Sequence, residues 1–215
     1  MGYGFLDIAA TPSVKAAQAA NGSADQWDGF RGDRDFDRFT DAETAFIAAR
    51  DNFYMATVSE TGWPYVQHRG GPPGFLRVLD ERTLGFADYR GNRQYISLGN
   101  PQACDRVSLI LVDYPAQRRL KLFGHAEARS LAADPALAGQ LATPGYRGPA
   151  ERAFVIHLAR FDWNCPQHIT PRFTEAELNE ALDPVRQRLA ALTVENETLR
   201  AQLSRVRTTL EETRS

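Results

Sequence analysis

The sequence predicts a mainly β domain with helices, followed by a long helical segment of coiled-coil type. Three observations carry that reading. Between Phe53 and Ala128, short runs of β-forming residues alternate with Gly, Pro and Asn punctuation. Within that span, Val107–Val112 (VSLILV) is apolar almost throughout, as a central strand is, and Arg119–Ala128 alternates, with Leu120 and Leu122 on one face and Lys121 on the other. From Val185 onward the apolar residues instead recur in alternating steps of four and three.

Composition bounds the possibilities. The 215 residues allow one domain plus appendages, and 43% hydrophobic with 24% charged residues is ordinary for a soluble globular chain. A formal net charge of −2 argues against a general nucleic-acid or anionic-membrane binder. The two cysteines, Cys104 and Cys165, have no zinc-ligand spacing and suggest free thiols in a reducing compartment. No stretch has the apolar length of a membrane span. The first residues, MGYGFLDIAATPSVKAAQAANGS, lack a basic leader, and Leu6 stands where a myristoylation signal has Ser or Thr. A cytoplasmic protein is expected.

Along the chain, residues 1–35 form an N-terminal arm. Ser13 to Ala20 has the alanine content of a short helix, with Ser13 as its cap, and Trp27, Phe30 and Phe36 supply aromatic anchors or a lid. Thr40 to Ala49 is a helix with a capping box of Thr40 and Glu43 and a buried face of Phe46 and Ile47. Phe53–Ser59, Pro64–Arg69, Phe75–Leu79 and Thr83–Asp88 read as strands, with turns at Glu60-Thr61-Gly62 and Asp80-Glu81. Gly91 to Leu98 reads as a helix stopped by Gly99-Asn100-Pro101. After the turn Pro115–Arg118 and the strand Arg119–Ala128, residues 129–152 read as a helix and a loop. Phe154–Phe161 is then the last strand, with His157 as a structural hydrogen-bonder. The segment Asp162–Ile169 crowds an aromatic, two amides, a thiol and an imidazole into eight residues. It is either a flavin-facing loop or a capped loop around a buried tryptophan.

The C-terminal segment, 173–215, opens on a second capping box, Thr174 with Glu177. Pro184 suits the first turn of a new helix capped by Asp183. Val185, Leu189, Leu192, Asn196, Leu199, Leu203, Val206 and Leu210 then form a heptad seam. Asn196 falls at an a position, which favours a parallel two-stranded coil, and Glu195 at g faces Arg200 at e of the partner helix.

The chemistry centres on Tyr89-Arg90-Gly91-Asn92-Arg93. A strand emptying into a helix start offers free N–H groups and the positive end of the helix dipole, and Arg93 adds a planar cation suited to phosphate. Arg69, before a glycine pair, offers a second cation. Arginines in turns are commonly just solvated, so these residues alone leave both readings open.

The pattern ADYRGNRQYISLGNP resembles the strand–turn–helix of the pyridoxamine 5′-phosphate oxidase-like family, the FMN-binding split barrels. Pro64-Tyr65-Val66-Gln67-His68-Arg69 falls where that family places its first flavin-contacting strand, and DWNCPQHITPR is similar to one branch of these flavoproteins. The likeness runs from about Phe36 to about Arg172. It implies a six-stranded antiparallel split β-barrel over 36–172, a bound FMN, and a homodimer with FMN at the subunit interface. It places Gln67, His68, Arg69 and Asp88 along the flavin, Asn92 and Arg93 on its phosphate, and Arg119 across from the neighbouring subunit. Trp163, Asn164 and Gln167 would pack on or bond to the ring. Asn92 departs from the family, which uses Arg and Lys here, and Arg119 stands where many relatives have Gln. The Arg-x-His signature of pyridoxamine phosphate oxidase itself is absent, so the implied activity is an FMN-dependent oxidoreductase of unspecified small-molecule substrate, with hydride transfer at the flavin ring. The alternatives are a non-catalytic flavin binder or assembly protein, and a barrel holding haem or a deazaflavin. No metal site, nucleic acid or membrane is expected, and no residue stands out as the catalytic group.

Overall fold

Each extended run of the sequence becomes a strand in the computed structural model of the chain, which describes residues 4–28, 36–146 and 148–213 apart from the side chain of Asn164. The strands are β1 (Asn52–Val58), β2 (Pro64–Gly70), β3 (Leu76–Asp80), β4 (Thr83–Tyr89), β5 (Arg106–Asp113), β6 (Arg118–Arg129) and β7 (Ala150–Asn164). They form one antiparallel sheet in the order β2-β1-β5-β6-β7-β4-β3. That is seven strands rather than six, because the short β3 pairs with β4 alone and adds an edge. β7 is longer than the apolar run Phe154–Phe161 and takes in Asp162 and Trp163, which the sequence suggested as loop.

Period-2 alternation explains the core. β1 buries Phe53, Met55 and Thr57, β5 buries Val107, Leu109 and Leu111, and β6 buries Leu120 and Leu122. The sheet curls so that its two flanks meet. The Phe53 ring of β1 lies 5.2 Å from Phe86 of β4, and Phe86 stacks on Phe154 of β7 at 5.2 Å. Each fully buried phenyl ring contributes about 1.5–3 kcal/mol. Gly124 marks a register shift between β6 and β7, where an added Cβ would stand 2.7 Å from the His157 carbonyl oxygen.

Helix α4 (Asp41–Ala48) closes the barrel through its polar and apolar residues together. Thr40 and Glu43 form the capping box, and Phe46 and Ile47 enter the core. The other Glu43 oxygen accepts from Trp163 Nε1 at 2.7 Å, and the Trp163 ring meets Phe46 edge-on at 4.8 Å. Burial raises the Glu43 carboxyl, but the Thr40 and Trp163 hydrogen bonds outweigh it and hold the group below its ordinary range. On the far side, α1 (Gly4–Ala9) stacks Phe5 on Phe123 at 4.6 Å, and Lys121 lies 4.8 Å from the Phe5 ring. Lys121 Nζ also sits 3.1 Å from Asp162, whose carboxyl burial pushes up to about 6.

Three helix ends differ from the sequence expectation. α2 (Pro12–Ala20) is capped by Thr11 rather than Ser13, with Pro12 in the first turn, where its missing N–H costs nothing. The next helix of the arm, α3 (Ala24–Asp28), carries Trp27; Phe36 packs on Phe161 at 4.8 Å, while Phe30 lies outside the described residues. α5 (Ile96–Ala103) begins five residues later than expected and runs through Gly99-Asn100-Pro101. Arg93 and Tyr95 have φ of 62° and 55°, which no right-handed helix accommodates. Asn100 then faces inward, donating from Nδ2 to Thr57 Oγ1 at 2.8 Å and tying α5 to β1. α6 (Pro135–Leu141) lies in the stretch after β6.

The chain divides into two compact units, Met1–Thr170 and Pro171–Ser215. The second is one helix, α7 (Glu175–Glu212), begun by the Thr174–Glu177 capping box. Pro184 sits inside it rather than starting a new helix, and Asp183 pairs with Arg186 at 3.2 Å instead of capping. The turns on either side absorb the loss of one backbone hydrogen bond, a cost of about 3 kcal/mol. The seam residues Val185, Leu189, Leu192, Leu199, Leu203, Val206 and Leu210 are all exposed. Among the described residues no helix is long and apolar enough to cross a membrane.

Replacing Glu43 with Ala removes one half of the α4 capping box and leaves the half-buried Trp163 N–H without its partner. It should cost about 2 kcal/mol in urea unfolding and shift tryptophan emission to the red. An unchanged emission maximum would show that Trp163 does not depend on this carboxylate.

Candidate functional site

A cleft of about 280 Å³ opens where the two flanks of the curled sheet meet. Its walls are the end of β2 (Gln67, His68, Arg69), the end of β4 (Phe86, Asp88, Tyr89), the turn Gly91–Tyr95, the first turn of α5 (Ser97, Leu98) and Glu151 at the start of β7. Gln67 and Arg69 face the barrel side because they pair with Met55 and Phe53, two core residues of β1. Gln67 Oε1 accepts from Ser97 Oγ at 2.8 Å, which joins β2 to the buried first turn of α5. His68 pairs with Tyr54 on the other face, and its ring meets the tyrosine edge-on at 5.4 Å. Thus alternation turns the imidazole away from its neighbour Arg69.

Arg69 is held firmly. Nη1 donates to Asp88 Oδ1 at 2.7 Å, and the guanidinium lies 5.7 Å from the Phe86 ring and 5.4 Å from the Phe154 ring. The second Asp88 oxygen takes Arg152 Nη1 at 2.9 Å, a pair set up by the register that puts Arg152 opposite Asp88 on β7. The side chain of Asp88 is only 10% exposed and that of Arg69 14%. Arg69 Nε is buried without a hydrogen-bond partner. Arg69 is therefore not the open second cation that the sequence suggested, since its charge is largely matched by Asp88.

The network continues outward. Arg152 Nη2 donates to Glu151 at 3.0 Å, and its guanidinium stacks 5.0 Å over the Tyr95 ring. Glu151 also accepts from Arg90 Nε at 2.9 Å and from the Tyr95 hydroxyl at 3.1 Å. The Arg90 hydrogen bond foremost, with those of Tyr95 and the charge of Arg152, holds the Glu151 carboxyl below its ordinary range. Arg93 is exposed, with Nε 3.4 Å from the Tyr95 hydroxyl.

Asn92 folds back, its Oδ1 accepting from Gln94 N at 3.1 Å. Two left-handed residues, Arg93 and Tyr95, flank Gln94, and α5 starts without a side-chain cap. The Gln94 N–H is thereby taken, while the first N–H groups of α5 have no side-chain cap, as at an anion-binding helix start. Each left-handed non-glycine residue costs about 1–3 kcal/mol, strain of the kind found at functional sites.

The remaining candidates lie apart from the cleft. Trp163 is bonded to Glu43 and sandwiched by Phe46 and Arg118, whose guanidinium lies 4.5 Å over the indole. Arg119 Nη2 donates to the Cys165 carbonyl at 2.8 Å. Gln167 is exposed in the segment after β7, and the side chain of Asn164 lies outside the described residues. Cys104 and Cys165 are free thiols. Sequence reasoning missed Arg152, Glu151, Tyr95 and Ser97. Only the β4–β7 register could have exposed Arg152 and Glu151, since both sit 60 residues or more downstream of their partners Asp88 and Arg90.

Residues 39–159, more than half of the chain, match the family described as pyridoxamine 5′-phosphate oxidase. Among solved structures, the chain is similar to a candidate pyridoxamine 5′-phosphate oxidase from Lactobacillus delbrueckii, with 20% identity over 59% of this chain and 94% of that one and a TM-score of 0.46. HupZ of Group A Streptococcus gives 16% identity over 63% and 99%, with a TM-score of 0.45. An FMN-binding protein from Syntrophomonas wolfei gives 12% over 58% and 84%, with a TM-score of 0.43. No curated protein matches the chain.

Asp88→Asn should leave the half-buried Arg69 without a counter-charge, while Arg152 keeps Glu151, and cost about 2–3 kcal/mol of unfolding free energy. Denaturant titration reads this directly. A loss below about 1 kcal/mol would show that Arg69 and Arg152 readily find other partners.

Proposed function

The chain belongs to the pyridoxamine 5′-phosphate oxidase family, and from that premise we propose that it is an FMN-binding flavoprotein acting as an FMN-dependent oxidoreductase. The observation that carries the reading is the cleft itself, where an uncapped helix start, two left-handed residues and the exposed Arg93 converge beside Gln67 and Ser97. These groups fit a phosphate monoester. The uncapped N–H groups at the start of α5 and the guanidinium of Arg93 would hold its oxygens, and Asn92, bonded to Gln94 N, would brace the turn rather than add charge. FMN supplies hydride exchange at its ring when bound; this chain's residues bind, orient and partly desolvate it.

The cleft is small for a whole flavin nucleotide, since pockets that bury a drug-sized ligand run from about 300 to 1,000 Å³. That favours a homodimer in which the ring reaches beyond one subunit, and the exposed Gln167 is then at hand for the partner's flavin. The exposed seam of α7 supports the same assembly. With Asn196 at a, the e positions are Arg186, Thr193, Arg200 and Arg207. An antiparallel pair would set this cationic row against itself, whereas a parallel pair sets Arg200 against Glu195 and matches Asn196 with Asn196.

The purified protein should show flavin absorbance and release FMN by mass. Arg93→Ala should weaken FMN by about tenfold, as the loss of one charge-assisted phosphate contact would, and leave riboflavin unaffected. A protein that neither carries nor takes up FMN would falsify the reading. For the assembly, sedimentation should give a dimer that Arg200→Glu loosens; a monomer at micromolar concentration would overturn the role given to α7.

A further inference from the structure

Glu151 sits in the cleft with the donors that a phosphate would use. Its carboxylate takes Arg90 Nε at 2.9 Å, Arg152 Nη2 at 3.0 Å and the Tyr95 hydroxyl at 3.1 Å, and Arg93 reaches the same tyrosine hydroxyl at 3.4 Å. Two guanidinium groups and a phenol on one carboxylate reproduce the coordination of a bound anion. The location reinforces this. Glu151 opens β7 across from the turn that carries Arg93, and it lines the cleft together with Asn92, Arg93 and Tyr95. Its side chain is 13% exposed, so its charge is only partly screened by water.

We propose that Glu151 is a resident anion of the phosphate cradle, occupying its donors and setting a threshold that only a doubly charged phosphate monoester overcomes. The inference rests on the flavin reading above and specifies which ligands that site accepts. A phosphate dianion entering beside Arg93 competes with the carboxylate for Tyr95 and Arg90 and is repelled by its charge. A monoanion or a neutral ligand gains too little from the same donors to displace it. Glu151 is thus a specificity-determining residue. It holds Tyr95 and Arg90 in place when no ligand is bound, at the expense of affinity.

The test compares wild type with Glu151→Gln, which keeps the shape and the acceptor but removes the charge, and with Glu151→Asp, which keeps the charge. FMN, riboflavin and inorganic phosphate are titrated against each, by flavin fluorescence quenching and by thermal shift. Glu151→Gln should bind FMN about tenfold tighter, the order expected for removing one like charge at a partly buried site. Riboflavin affinity should stay unchanged, and the thermal shift from inorganic phosphate should grow. Glu151→Asp should stay within about twofold of wild type for FMN, because the repulsion remains. An FMN affinity that is unchanged or weaker in Glu151→Gln, with wild type binding FMN, overturns the proposal and leaves the flavin site standing. A wild type that binds neither flavin removes the flavin reading. The role of Glu151 is then decided by inorganic phosphate, and a thermal shift no larger in Glu151→Gln overturns it as well.

Discussion

The structure turns on one carboxylate. Asp88 holds Arg69 from β2 with one oxygen and Arg152 from β7 with the other. In the strand order, β2 is one edge of the sheet, while β4 and β7 lie towards the opposite flank. Among the described residues no backbone ladder joins those flanks directly, and the side-chain bridge and the Phe53–Phe86 contact draw them together. A buried ion pair is weak evidence of net stability, because desolvation offsets much of the attraction. What it gives is position. Arg69, packed over Phe86 and Phe154 and bonded to Asp88, fixes the distance between the cleft's two walls.

Much of the barrel was legible because period 2 is a local signal. The alternation at Leu120 and Leu122 and the apolar run Val107–Val112 each require a strand with a buried face, and both strands form. The capping boxes at Thr40 and Thr174 were equally plain, since two residues three positions apart suffice to specify them. The errors fell where backbone chemistry is not local. Gly99-Asn100-Pro101 has the look of a helix stop, yet the helix continues through it because Asn100 is needed by Thr57 on β1. Pro184 likewise sits inside α7, where the hydrogen bonds around it outweigh the one it removes.

The site was half legible, for the same reason. Gln67, Asn92 and Arg93 lie close to a strand end or a turn that the sequence marks, and the cleft gathers them. Its other half is built by register. Arg152 and Glu151 reach the cleft only because β7 pairs with β4, and nothing near them in sequence shows it. Trp163 illustrates the converse. Its crowded neighbourhood suggested a ligand loop, but β7 extends through it and sends the indole to Glu43 instead. His68 was next to Arg69 in sequence and is across the sheet from it in space, as strict alternation requires.

The charges of the cleft match those of the proposed ligand. Arg69, Arg90, Arg93 and Arg152 bring four positive charges and Asp88 and Glu151 two negative ones, an excess of two. A phosphate monoester carries about −1.5 to −2 at neutral pH, so it brings the cluster close to neutrality where a monoanion leaves it cationic. The excess is not spread evenly. Asp88 is shared by the inner pair, Arg69 and Arg152, which joins the sheet flanks, and Glu151 pairs with Arg90 and Arg152, which leaves Arg93 with the most accessible charge. The inner pair thus serves the fold, and the outer groups are the ones assigned to the proposed ligand. The two carboxylates, 63 residues apart in sequence, divide those duties because register sets Asp88 against Arg152 and Glu151 follows one residue before it.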